Sequence, residues 1–107
     1  MYLAHIRDAL TRIADYTTAG EDAFLTDSRT QDAVIRNLEV IGEAAKRISE
    51  QMKGDAPAIP WRVVAGMRDK LIHHYFGVDL KIVWAVVVHE LPAMRREIDR
   101  LFDAAAG

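Results

Sequence analysis

Apolar residues recur at alternating steps of three and four along most of the chain, which places them on one face of an α-helix. The first stripe predicts a helix from about residue 2 to 17. The second predicts a long helix that begins near Ser28, a candidate N-cap, and continues to about Met52. The intervening residues 21–27 are expected to form a turn or a short helix.

Prolines and glycines divide the second half of the chain into two further helical segments. The third helix is predicted to begin at Pro60, whose missing N–H costs nothing in a first turn, and to reach about Tyr75. Asp79 can cap a fourth helix that reaches about Ala104. Pro92 lies inside this last pattern and should kink or split the helix.

Length and composition fit these four segments into one compact unit. The chain has 107 residues, half of them apolar, which is enough for a hydrophobic core. We therefore expect a single domain over residues 1–107 with an all-α fold, an up-and-down bundle of four to five helices. The net charge of -2 argues against a surface that binds nucleic acid or membrane everywhere, but it allows a local basic patch.

The sequence also bears on where the protein works. Charged and ionisable side chains interrupt the first twenty residues, so no signal peptide is expected there. The longest uncharged apolar run, Ile82 to Val88, is much shorter than the roughly 20 residues that span a bilayer. A cytoplasmic location without a membrane partner is the resulting expectation.

The fourth helix is apolar over more than one face. On a helical projection Ile82 and Val86 share one face and Trp84 lies on another, and a small bundle cannot cover both faces. We expect a partner surface here, most simply in a homodimer. A wide stripe facing the protein's own core is the alternative.

An arginine interrupts the predicted core-facing stripe of the third helix. Trp61, Val64, Leu71 and other apolar residues share one broad face with Arg68. A buried guanidinium is costly without a partner, so Arg68 needs a carboxylate, a phosphate or a water-filled cleft. A structural ion pair with Glu43 or Glu39 of the second helix is the alternative to a functional role.

Asp69 and His73 are four residues apart and therefore neighbours on a helix surface. Such an aspartate can orient the imidazole and fix its tautomer, which suits a general acid or base, although an exposed polar pair is the plain alternative. Arg68 and His73 point about 140° apart on one ideal helix, so a second copy of the chain would help to bring them together.

Metal and cofactor sites are not expected. The chain has no cysteine, which excludes disulfides and thiolate zinc sites. His73 and His74 are adjacent and do not share a helix face, and no carboxylate–histidine motif of familiar spacing or glycine-rich phosphate loop is present.

Three blocks of this sequence together resemble a known family. The run from Arg68 to Tyr75, RDKLIHHY, matches the R-x4-H-x-Y motif of the HepT-like toxins, a branch of the HEPN superfamily. The segments QDAVIRNLEVIGEAAKRIS (31–49) and VWAVVVHELPAM (83–94) are similar to the family's second long helix and last helix. The resemblance covers nearly the whole chain, and the three blocks occur in the family's order.

The resemblance implies a specific biochemistry. Members are helical bundles that dimerise around a shared cleft, and many are metal-independent endoribonucleases. The family's arginine and histidine correspond to Arg68 and His73, and the polar residue after the arginine corresponds to Asp69. HepT-like toxins are paired with MntA-like nucleotidyltransferase antitoxins. In studied members the motif tyrosine, which corresponds to Tyr75, receives AMP groups that silence the toxin.

Basic residues near the motif can supply the positive electrostatic potential that attracts an RNA substrate. Lys70 lies within the motif, and Lys46 and Arg47 lie on the second predicted helix, so we expect them to contact RNA or phosphate. Two other functions remain open: a non-catalytic helical partner and substrate of a minimal nucleotidyltransferase, and a plain dimeric scaffold.

Overall fold

In a computed structural model, the chain is described over residues 2–66 and 79–106, and both ranges are helical without any β-strand. The all-α prediction is therefore confirmed for the part of the chain that the structure describes. The helices are α1 (Tyr2–Tyr16), α2 (Glu21–Thr26), α3 (Ser28–Lys46), α4 (Glu50–Asp55), α5 (described over 61–66), α6 (Leu80–His89) and α7 (Leu91–Ala106).

The core forms where α1 packs along α3 and α7 packs against α1. The apolar stripes that predicted these helices are the faces that become buried, as expected for amphipathic helices of a bundle. Small residues let α1 and α3 approach closely, since Ala9 and Ala45 are both fully buried. The largest fully buried side chains are Phe24, Ile6, Ile13, Leu38, Ile41, Ile98 and Val34.

The predicted second helix is wrong at both ends. Asp27, not Ser28, is the N-cap of α3, and its Oδ1 accepts a hydrogen bond of 3.0 Å from the Arg29 backbone N–H. The helix then ends at Lys46, because the Ser49 hydroxyl accepts a 3.1 Å hydrogen bond from the Met52 N–H and starts α4. Serine favours such N-caps over helix interiors, so one predicted helix becomes two.

The predicted fourth helix is also divided, in this case as expected. Asp79 caps α6 through a 2.9 Å hydrogen bond that its Oδ1 accepts from the Lys81 N–H. The division falls at Glu90, and Pro92 takes the second position of α7, where its missing N–H is tolerated. Pro60 lies one residue before α5, and its carbonyl accepts a 3.0 Å bond from the Val64 N–H.

The short helix α2 is seated on the bundle by one side chain and one hydrogen bond. Phe24 is buried, and the Gln31 side-chain amide donates to its carbonyl at 2.9 Å. Gly20 precedes α2 with φ +93°, a left-handed conformation that favours glycine. Among the helices of the two described ranges, none is both long and apolar enough to cross a bilayer.

Candidate functional site

Most of the predicted catalytic segment lies outside the described residues. The site residues concerned are Arg68, Asp69, Lys70, His73 and Tyr75. Their mutual geometry therefore stays a prediction, as does the alternative pairing of Arg68 with an acid. The structure does describe the helices that lead into and out of this segment, and the α3 surface on which the other two predicted site residues lie.

The helix that leads into the predicted motif is anchored by Trp61. Its indole Nε1 donates a buried hydrogen bond of 3.1 Å to the Ala56 carbonyl, across the loop that contains Ile59. Trp61, Ile59 and Val64 are all buried, and Val63 on the other side of α5 is exposed. The core-facing stripe predicted for the third helix is thus confirmed over its described first turns.

Among the described residues, the helix that follows the motif packs on the bundle through one side. Val83 of α6 is buried, and the Trp84 ring lies 5.4 Å from the Phe24 ring of α2, centroid to centroid. On the other side Ile82 and Val88 are 63% and 45% exposed. The prediction of an apolar face left over on this helix agrees with that exposure.

Lys46 and Arg47, the predicted phosphate contacts within the described ranges, are both exposed at the end of α3. The Arg47 Nη2 lies 3.1 Å from the Glu43 Oε1, one helical turn earlier. The hydrogen bond to Glu43, and secondarily one with the Tyr2 phenol, raises the pKa of Arg47 above its ordinary value. Arg47 is therefore a fixed positive charge on the surface.

A shallow cavity of about 170 Å³ lies beside Arg47, where the first turn of α1 meets the last turns of α3. We call it the α1–α3 hollow, and it is lined by Tyr2, His5, Val40, Glu43, Ala44 and Arg47. Sequence reasoning missed Tyr2 and His5. Their spacing of three residues places them on one face of α1, but periodicity does not say which part of which helix that face meets.

A larger groove of about 500 Å³ runs between α1 and the junction of α6 with α7. Leu10, Ile13, Trp84, Val87 and Leu91 are among its lining residues, and Arg95 lies at its edge. The Arg95 guanidinium is engaged by Asp99, with Nε 3.3 Å from Oδ2. This groove adds apolar surface to the exposed side of α6.

Comparison with known proteins gives a consistent result. The family model described as "Ribonuclease HepT-like" matches residues 6–101. A protein of Thermococcus cleftensis named "Probable ribonuclease HepT" is 47% identical over 102 residues, which cover 94% of this chain and 92% of that protein. A "Putative RNase" of Methanocaldococcus jannaschii is 42% identical over 107 residues, covering 99% of this chain and 88% of that protein.

No solved structure matches the chain. The family match spans most of the sequence and includes the R-x4-H-x-Y run. Both curated relatives are similar over nearly their whole lengths. The chain therefore belongs to the HepT-like ribonuclease family.

Proposed function

We propose that this chain is a metal-independent endoribonuclease in which Arg68 and His73 act on the scissile phosphate, supported by Asp69. Membership in the HepT-like ribonuclease family supports the RNA-cleaving activity and carries the proposal. The presence of the complete R-x4-H-x-Y run in this sequence supports the choice of residues.

The proposed residues can meet the chemical needs of RNA cleavage without a metal. A base takes the proton of the ribose 2′-hydroxyl as its oxygen attacks phosphorus, and an acid gives a proton to the leaving 5′-oxygen. Imidazoles from His73 can fill both roles, and the planar guanidinium of Arg68 can hold the charge that develops on the phosphoryl oxygens. Asp69 would fix the tautomer and orientation of the His73 ring.

The proposed enzyme is a homodimer. Arg68 and His73 point about 140° apart on one ideal helix, and a second copy supplies another arginine and histidine to the same cleft. The exposed apolar side of α6, with Ile82 63% and Val88 45% exposed, supports a second copy packed there. Lys46, Arg47 and Lys70 would contribute positive charge along the RNA path.

The biological role we propose is that of the toxin in a HepT/MntA-type toxin–antitoxin pair. The antitoxin would be an MntA-like nucleotidyltransferase that transfers AMP to the Tyr75 hydroxyl, with pyrophosphate leaving when ATP is the donor. Tyr75 is seven residues from Arg68 and therefore lies on nearly the same face of an ideal helix. The added phosphate would place negative charge beside the Arg68 guanidinium and would oppose RNA binding. The family resemblance of the tyrosine position supports this part.

Expression in a bacterial host tests the proposed role. We expect growth arrest with the wild-type chain and normal growth with Arg68→Ala or His73→Ala, while Arg12→Ala, at an exposed arginine of α1, stays toxic. Toxicity that persists in folded Arg68→Ala and His73→Ala proteins would contradict the ribonuclease mechanism.

The modification is tested by co-expression with an MntA-like nucleotidyltransferase. We expect growth to recover and the peptide that contains Tyr75 to gain the mass of AMP. Tyr75→Phe should remain unmodified and should not be silenced. A wild-type chain that is silenced without any mass change would contradict modification as the cause.

A further inference from the structure

The α1–α3 hollow combines two aromatic rings with an apolar floor. Tyr2 and His5 stand one turn apart on α1, and their ring centroids are 6.0 Å apart at an interplanar angle of 86°. Val40 is partly buried and Ala44 is buried, so the surface between the two helices is apolar. The hollow therefore has a small apolar floor bordered by two aromatic rings that are nearly perpendicular to each other.

One side of this hollow carries a fixed cation. The Arg47 guanidinium has five N–H donors, and Glu43 holds it through Nη2 at 3.1 Å. The side chain of Arg47 is nevertheless 54% exposed. Arg47 and Tyr2 also border a second hollow of about 160 Å³, so they form a ridge between two concavities.

We propose that the α1–α3 hollow binds one base of a single-stranded RNA substrate, with the base against Tyr2 and His5 and an adjacent phosphate on Arg47. This inference rests on the proposed function, because it assumes that the chain acts on RNA. Aromatic side chains and arginine planes are the surfaces on which unpaired bases stack, and a guanidinium binds phosphate oxygens through its planar fork.

The size and chemistry of the hollow favour a nucleotide over a protein segment. A volume of about 170 Å³ suits one planar ring rather than a helix face. Arg47 and Tyr2 line both hollows, so the Arg47 cation lies next to the aromatic rings of the α1–α3 hollow. An RNA strand carries a phosphate beside each base, and Arg47 is therefore placed to bind that phosphate.

The test separates RNA binding from RNA cleavage. Fluorescence anisotropy is measured with the full chain and a fluorescein-labelled single-stranded RNA whose riboses are 2′-O-methylated, so that no 2′-hydroxyl can attack. We expect Tyr2→Leu to raise Kd between about fivefold and a hundredfold, the range for losing one stacked base, and His5→Leu to raise it in the same direction. Arg47→Gln should also raise Kd and lower the slope of log Kd against log salt by about 0.7, the value for one phosphate contact.

Matched controls come from the same helix. Tyr16→Leu and Arg12→Gln replace exposed residues of α1 that do not line the hollow, and both should keep the wild-type Kd within about twofold. Circular dichroism of every variant checks that the fold is retained; a folded His5→Leu keeps the test decisive if Tyr2→Leu does not fold.

Each other outcome overturns the proposal. Wild-type affinity in the Tyr2 and His5 variants, with wild-type RNA binding intact, would remove the base subsite and leave the ribonuclease function standing. A loss confined to Arg47→Gln would show a simple phosphate contact. If the wild-type chain neither binds nor cleaves RNA, the proposed function fails and this inference fails with it.

Discussion

The indole of Trp61, at the start of α5, donates a 3.1 Å hydrogen bond to the carbonyl of Ala56, the C-cap of α4, and both residues are buried. This bond closes the loop that connects α4 to the helix on which the predicted motif begins. The position of that helix relative to the core therefore depends on an interaction several residues before the first predicted catalytic side chain.

Replacing the indole should destabilise the fold measurably. In Trp61→Phe the Ala56 carbonyl loses the indole donor but keeps its 3.1 Å hydrogen bond from the Ile59 N–H, so the free energy of unfolding should fall by about 1 kcal/mol, the usual net contribution of one hydrogen bond. Urea denaturation followed by circular dichroism measures the change. Val63→Ala, at a position 66% exposed on the same helix, is the control and should stay within about 0.5 kcal/mol of wild type. Equal stability of Trp61→Phe and wild type would contradict the anchoring role.

The N-cap of α3 should make stability depend on pH. Hydrogen bonds from the Thr30 hydroxyl and the Arg29 backbone N–H lower the pKa of Asp27 below its ordinary value of 3.8. A lowered pKa in the folded state means that the carboxylate stabilises the fold above pH 3.8, and that this contribution is lost as the pH falls through the folded pKa.

Asp27→Asn keeps a capping oxygen and removes the charge. Its melting temperature should lie a few degrees below that of wild type at pH 7, and the two should converge at pH values below the folded pKa of Asp27. Ser28→Ala, which alters the residue that sequence alone suggested as the cap, should change the melting temperature little at either pH. A difference between Asp27→Asn and wild type that grows as the pH falls would contradict this linkage.

The exposed side of α6 should be needed for the proposed dimer. Introducing charge with Ile82→Glu and Val88→Glu together should reduce the mass measured by light scattering from that of two chains to that of one, because a carboxylate cannot be buried unpaired in an apolar interface. Tyr16→Glu places the same charge at a 43% exposed position of α1 and should leave the mass unchanged. A double variant that still has the mass of two chains would exclude α6 as the interface.

The long helices were largely predictable, because α1, α3 and α7 each bury a stripe with helical spacing. Asp79 and Pro92 carried enough local information to predict a cap and a division. The break between α3 and α4 was not predictable from spacing, since Ala45, Ile48 and Met52 continue the apolar period across it. The Ser49 hydroxyl caps a new helix instead of lying inside the longer one. The spacing of apolar residues carries no information about such a capping hydrogen bond.

The candidate site was predictable only in part. The R-x4-H-x-Y run could be found by resemblance, because its residues are contiguous in the sequence. The α1–α3 hollow could not, because Tyr2 and Arg47 are far apart in the sequence and meet only through the packing of α1 on α3. Arg68 and His73 lie outside the described residues, so their convergence is a question for experiment.

The most direct measurement is cleavage of single-stranded RNA by the purified chain in the presence of EDTA, with wild type, Arg68→Ala, His73→Ala and the exposed control Arg12→Ala. We predict that wild type and Arg12→Ala cleave at equal rates with EDTA present. The rate of His73→Ala should fall by about 100-fold or more, the usual contribution of a general acid or base, and that of Arg68→Ala should also fall strongly. Loss of wild-type cleavage on adding EDTA, or wild-type rates in folded Arg68→Ala or His73→Ala, would contradict the proposed mechanism.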